Sequence, residues 1–286
     1  MTPLTQTSSG TPALSSTIAP SVNLDATSWT RRAYYNAETS HADGLVFLNN
    51  HGGAGSGVFD YAFGMSLSYA STDSTTAAVS PQVLADTLLN DSIEVSIWTD
   101  QQCQGEACGY YRPGTVAYHG FSGASKMFLM EFDMPFSNNT ISSWEHPNPD
   151  MPAIWALNAD IARTQQYGNC SCWATGCGEW DIFEAVSPGD FRLSSCVHAN
   201  PSGCEGAWFQ RPENKTIKAA VIFDGTNNAG NIYLLPDETD FPTTISGTTV
   251  AGFGSGDGNV GNGVLPGAVS TYAARVFDLA NQGASR

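Results

Sequence analysis

Short apolar runs recur along the middle of the chain, each closed off by a cluster of Gly, Asn, Asp or Pro. This spacing predicts strands at Gly44–Leu48, Ser92–Trp98, Thr115–His119, Lys126–Asp133, Ala153–Leu157, Glu179–Val186, Ser194–Ala199, Thr216–Phe223 and Asn231–Leu235. Between the last two, Asp224-Gly225 and the residues up to Asn228 read as a hairpin turn. No long stretch carries the 3.6-residue period of an amphipathic helix. An all-β chain is expected, folded as a sandwich or a barrel.

The flanks read differently. Residues 1–27 are rich in Ser, Thr and Pro, the composition of a disordered and O-glycosylated leader. The strand pattern occupies residues 28–250. Residues 251–286 open on Ala251-Gly-Phe-Gly-Ser-Gly-Asp-Gly258 and read as a Gly-rich extension, with a late strand or short helix at Ala268–Leu279. Met1 starts no basic, apolar signal sequence, so a secreted protein would have its true start upstream. No run has the length of a membrane span, and the C-terminus lacks an apolar anchor tail.

Charge narrows the partners. Lys and Arg number 11 against 27 Asp and Glu, a formal net charge of −16. Such a chain has no basic patch to offset phosphate, which argues against nucleic acid and anionic lipid. A neutral polymer meets no such objection. Seven cysteines cluster as Cys103/Cys108, Cys170/Cys172/Cys177 and Cys196/Cys204. Short-loop disulfides with one cysteine left over fit that grouping, and so a secretory route. A zinc site at Cys170-Ser171-Cys172…Cys177 is the competing reading, but no regular second pair accompanies it. Sequons at Asn90, Asn138, Asn169 and Asn214 agree with secretion.

The chemistry lies in Gly178-Glu179-Trp180-Asp181-Ile182-Phe183-Glu184-Ala185-Val186. In a regular strand Glu179 and Asp181 share one face and Glu184 falls on the other. One extra residue, a β-bulge at Ile182–Phe183, would return Glu184 to their side, with Trp180 and Ile182 packed behind. The Glu179 and Glu184 Cα atoms would then stand roughly 13 Å apart. Side chains leaning inward over Asp181 could close their carboxyls to about 5–5.5 Å, the spacing of a retaining glycosidase. Crowding also splits carboxyl pKa values, as an ionised nucleophile and a protonated acid require. Two plainer readings remain: solvent-facing strand residues, or a Ca²⁺ site. The latter is poor, because ligands along one strand surround an ion badly. No metal or cofactor is expected.

The motif Glu179-x-Asp181-x-x-Glu184, with Met151-Pro-Ala-Ile-Trp155-Ala-Leu-Asn158 upstream, resembles glycoside hydrolase family 16. A closer resemblance covers most of Trp29–Val250, to the fungal target-of-SBF cell-wall family of endo-1,3-β-glucanases. Its matching stretches are Ala33-Tyr-Tyr-Asn36, Gly44-Leu-Val-Phe-Leu-Asn-Asn50, Tyr111 to Gly120, Arg163-Thr-Gln-Gln-Tyr-Gly168 and Cys170-Ser-Cys-Trp173. The resemblance implies a concanavalin-like β-jelly roll, a cell-wall location and a β-glucan substrate. It implies Glu179 as nucleophile, Asp181 as its helper and Glu184 as general acid/base. Trp155 would stack on sugar, or else belong to the core. His198, on the next strand, could reach Glu184. Asn158, Arg163, Gln166 and Tyr167 are polar cleft candidates, and His119 could line the cleft or cap a turn. A monomer is expected, with hydrolysis and transglycosylation both open. Alternatives are a lectin-like β-glucan-binding wall protein on the same fold and a cross-linked structural wall protein. The Cys-rich approach from Asn169 to Gly178 departs from ordinary family 16.

Overall fold

A computed structural model describes residues 27–52, 56–57, 59–60, 64–91, 93–112, 114–139, 141–143, 148–163, 170–172, 174–199, 203–204, 208–226, 229–253 and 272–273. The expected leader and most of the Gly-rich extension therefore lie outside the described residues. Three antiparallel sheets dominate what is described. One joins Lys126–Phe132, Ile217–Asp224 and Ala229–Leu235, with Tyr272–Ala273 at its edge. A second joins Ala153–Leu157, Glu179–Glu184, Arg192–His198 and Gly203–Cys204, while Phe209–Gln210 pairs with the start of Arg192–His198. The third runs in the order Ala77–Ala78, Ser68–Ala70, Leu45–Asn49, Ser96–Thr99. The two described helices are short, Ala159–Arg163 and Gly247–Gly252. None of the described helices could cross a membrane. The all-β fold read from the apolar runs is the one formed.

Packing explains the sequence pattern of the first two sheets. Trp180, Ile182, Phe183, Leu193 and Val197 of the second sheet meet Ala219, Val221, Phe223 and Ile232 of the first in one buried cluster. The two sheets thus form a sandwich around a shared apolar layer. The other face of the first sheet is also covered. Ala220, Ile222, Tyr233 and Leu235 pack there against Trp29, Phe241, Ile245 and Val250. With both faces buried, Ala219-Ala-Val-Ile-Phe223 reads as a continuous apolar run rather than an alternating one. The outer cover is held by Ser28–Thr30 pairing with Thr244–Ser246, which sets the two ends of residues 28–246 side by side.

A buried cation ties the lower rim together. Arg211 donates to the carbonyls of Met134 and Pro135, each at 2.6 Å, and to Asp150 Oδ1 at 2.6 Å. Both side chains of the ion pair are essentially inaccessible, so each charge depends on the other and on these carbonyls. One expected strand does not form. Thr115–His119 bonds piecemeal: Val116 to Leu67, Ala117 to Cys103 and His119 to both Gln101 and Thr99. With its bonds divided among separate segments it makes no continuous ladder, and only an isolated bridge joins Tyr118 to Gln102.

Gly230 marks how closely the sandwich is packed behind the carboxylate strand. A Cβ there would lie 2.7 Å and 2.8 Å from ring atoms of Trp180. Gly230→Ala should therefore cost about 1–3 kcal/mol, as overpacked cores do. A thermal melt indistinguishable from that of the parent would show that the Trp180 ring can move aside.

Candidate active site

The strand Glu179–Glu184 carries the expected irregularity. Against Ala153–Leu157, Ile154 pairs with Phe183 but the next residue, Trp155, pairs with Asp181. Against Arg192–His198, Asp181 pairs with Cys196 and Glu184 with Ser194. Three steps on the central strand thus oppose two on the other, so one extra residue is inserted at Ile182–Phe183. Ile182 and Phe183 are both buried in the sandwich core. Glu179, Asp181 and Glu184 share the other face, with register partners Leu157, Trp155 and Ala153 on one side and His198, Cys196 and Ser194 on the other.

These carboxyls are not ordinary surface acids. Asp181 is only 6 % exposed, and burial raises its pKa to about 6, helped by the charges of Glu184 and Glu179. His198 opposes that rise, with Nε2 2.7 Å from Asp181 Oδ2. Glu184 is also raised, chiefly by burial and further by Glu179, while His198 pulls it down. Asp181 thus lies under the influence of both glutamates and of the His198 imidazole at once. Behind it, Trp180 Nε1 donates to Ser195 Oγ, which in turn donates to the Asp181 carbonyl. These buried bonds fix the strand that aims the acids.

Two further groups face Glu179 that sequence reasoning did not single out. Cys172 Sγ lies 3.5 Å from Glu179 Oε2 and donates toward it. It is fully buried and is the free cysteine among the described residues. Burial first, then the Glu179 charge, pushes its thiol to about 12, so the proton stays on sulfur. The second group is Glu94, at the approach to Ser96–Thr99 in the third sheet. Surrounding protein and the Glu179 charge raise its carboxyl, although part of the side chain remains open to solvent. Only tertiary placement reveals Glu94, which in sequence is one polar position of an alternating run. Cys172 was visible only as an odd cysteine.

The remaining candidates divide. Trp155 is 38 % exposed beside Asp181, so it stands at the open face rather than in the core. His198 hydrogen-bonds Asp181 and acts on Glu184 electrostatically. Asn158 is engaged with backbone: its Nδ2 donates to the Cys177 carbonyl and its Oδ1 accepts from Asp160 N, at the start of Ala159–Arg163. Arg163 is buried, donates to the carbonyls of Tyr118 and Cys108, and pairs with Asp160. Neither brings its polar atoms to the carboxylates. Tyr167 and Gln166 lie outside the described residues. The His119 backbone bonds across to another stretch: its N donates to the Gln101 carbonyl and its carbonyl accepts from Thr99.

The cysteines form the expected short loops: Cys103–Cys108 and Cys170–Cys177 are disulfides. Cys196 is also disulfide-bonded, and its strand partner in register is Cys204. The zinc alternative at Cys170–Cys177 fails because two of its three thiols are consumed. Cys103, Cys108 and His119 also converge, but there too the sulfurs are bonded to each other.

Comparison with known proteins identifies the chain's relatives. The family described as "Cell wall protein YJL171C/Tos1, C-terminal" matches residues 27–253. A Candida albicans protein named "Probable circularly permuted 1,3-beta-glucanase TOS1" is 44 % identical over 234 residues, 78 % of this chain and 48 % of that protein. The Saccharomyces cerevisiae protein of the same name is 43 % identical over 227 residues, again 78 % of this chain and 48 % of its own. An Arthroderma benhamiae protein, "Probable circularly permuted 1,3-beta-glucanase", is 39 % identical over 252 residues, 85 % of this chain and 57 % of its own. The chain thus spans about half the length of the relatives it matches. No solved structure matches. By the extent of the family match, this chain belongs to the Tos1/YJL171C family of cell wall proteins.

Proposed function

We propose that the chain carries the active site of a retaining endo-β-1,3-glucan hydrolase or transglycosylase that works, after secretion, in the fungal cell wall. The observation that carries this reading is the one-residue bulge that turns Glu179, Asp181 and Glu184 to a single face beside the exposed Trp155. A pure glucan binder would have no use for three crowded acids whose burial is costly. The names of the relatives point to the same substrate. In this reading the sandwich is a concanavalin-like jelly roll related to glycoside hydrolase family 16. The word "permuted" in those names also suits a fold whose two ends are paired strands.

Each residue then has a task. Glu179 attacks the anomeric carbon while Glu184 protonates the departing oxygen, giving a glycosyl-enzyme ester. Glu184, now ionised, removes a proton from water or from an acceptor sugar hydroxyl, which displaces Glu179. Burial raises the Glu184 carboxyl, the direction that a proton-donating acid requires. Asp181, bonded to His198, lies between them in the strand and is raised electrostatically by both. Trp155 offers a ring face to the sugar.

Product analysis on laminari-oligosaccharides is the direct test. The parent should give shortened or elongated β-1,3 products, and Glu179→Gln none, with at least a thousandfold loss of kcat expected from removal of a nucleophile. Glu184→Gln should retain the first step on a glycoside with a good leaving group. Full activity in both variants would remove this pair from the chemistry; binding without turnover by the parent would make the protein a lectin.

A second test needs no substrate. Because the folded protein holds Asp181 at about 6, above the ordinary aspartate range, the folded state binds the extra proton. That group's contribution is therefore most favourable below about pH 4 and declines as pH rises to about 6. Asp181→Asn removes the decline. Its stability relative to the parent should improve by about 2 kcal/mol between pH 4 and pH 7, read from denaturant midpoints. A pH-independent difference would mean that Asp181 is not held protonated.

A further inference from the structure

Cys172 stands where no bulk-solvent role is open to it. It is fully buried, it escapes the disulfide that joins its neighbours Cys170 and Cys177, and its sulfur lies 3.5 Å from Glu179 Oε2. The segment bearing it is held from several sides. Ser171 N donates to Thr175 Oγ1, Cys177 N donates to the Ser171 carbonyl, and Asn158 Nδ2 holds the Cys177 carbonyl. Cys170 and Cys172 also pack against Leu157, the register partner of Glu179. The disulfide loop is thus braced against the strand that borders the nucleophile.

From this geometry we infer that Cys172 is a positioning residue: its thiol holds Glu179 Oε2 and leaves Oε1 free to meet the anomeric carbon. The claim rests on the reading of Glu179 as nucleophile. A thiol suits the place chemically. It can donate to a carboxylate, yet as a weak donor it does not draw the charge away as a stronger acid would. Its own ionisation is suppressed by burial and by Glu179, so no second anion forms beside the attacking one. The disulfide next to it also has a consequence: with Cys170 and Cys177 bonded to each other, Cys172 keeps the free S–H that the contact requires.

The other ionisable groups around Glu179 are Asp181 and Glu184 on its own strand, His198 opposite it and Glu94 from the adjoining sheet. All of them remain in variants at residue 172. Any change in those variants therefore reports the thiol contact and not the wider cluster.

The experiment uses a 2-fluoro laminaribiosyl fluoride, which traps the glycosyl-enzyme and reads the nucleophilic step alone. Parent, Cys172→Ala, Cys172→Ser and Glu179→Gln are compared by rate of inactivation from pH 4 to pH 8 and by mass mapping of the label. The label is expected on Glu179 in the parent and absent in Glu179→Gln. Cys172→Ala should be inactivated about tenfold more slowly, with its acidic limb displaced to higher pH, since one hydrogen bond to the charged form is lost. Cys172→Ser, which keeps a donor, should recover most of the rate and the parental limb. Equal rates and limbs in parent and Cys172→Ala would overturn the positioning role while leaving the nucleophile intact. So would a Ser variant as impaired as the Ala variant when both melt like the parent. A label that misses Glu179 would overturn the nucleophile assignment, and the positioning role with it.

Discussion

Ile182 and Phe183 are neighbours in a strand, yet both bury their side chains in the same apolar layer. Regular pleating forbids that, and the extra residue between the register pairs Asp181–Cys196 and Glu184–Ser194 is what permits it. The core thereby enforces the site. If the bulge slipped out, either Phe183, now fully buried, would face solvent or Glu184 would enter the sandwich. The first costs a few kcal/mol of lost burial and the second the desolvation of an acid with no partner there. Register is strongly specified when one face is buried, so the apolar side of the strand fixes the geometry of the polar side.

What the core fixes, the electrostatics resist. Asp181 and Glu184 are raised chiefly by burial, Asp181 further by Glu184 and Glu179 and Glu184 further by Glu179, so the folded chain crowds like charge here. The opposing contributions are small and local: the His198 contact with Asp181 and the thiol beside Glu179. Neither neutralises the cluster. The stability needed to hold it comes from apolar burial, in the shared sandwich layer and in the doubly covered first sheet.

Much of this could be read from the amino acids because it is governed by local pattern. The strand at Ala153–Leu157 has the expected bounds, Lys126–Phe132 ends one residue early, and Ile217–Asp224 is shifted by one residue at both ends. The bulge could be anticipated because three acids in an apolar strand make sense only if they share a face. Thr115–His119 misled because its backbone bonds are split between Leu67 and the stretch 99–103 instead of running along one ladder, and no periodicity encodes that. Glu94 and Cys172 were illegible for the same reason. Their meaning depends on which sheet and which loop come to lie against Glu179. Asn158 and Arg163 were read as polar cleft residues from their types. Their hydrogen bonds run to the backbone of the loops around the short helix, to the carbonyls of Cys177, Tyr118 and Cys108.

The bracing has a direction. Asn158 joins the end of Ala153–Leu157 to the Cys170–Cys177 loop, and that loop reaches the Glu179 side of the carboxylate strand. At the other end, Ala185 N donates to the Pro152 carbonyl just beyond Glu184, while the disulfide-bonded Cys196 pairs with Asp181, midway along the strand. In a double-displacement reaction the two carboxylates have unequal needs. A nucleophile must hold one oxygen on the line of attack, whereas an acid/base must serve first a leaving oxygen and then an incoming one. On the proposed assignment, a disulfide loop packed toward Glu179 and a single backbone bond beyond Glu184 match that inequality. The same fold can thus hold one carboxylate rigidly and leave the other the latitude its two successive partners demand.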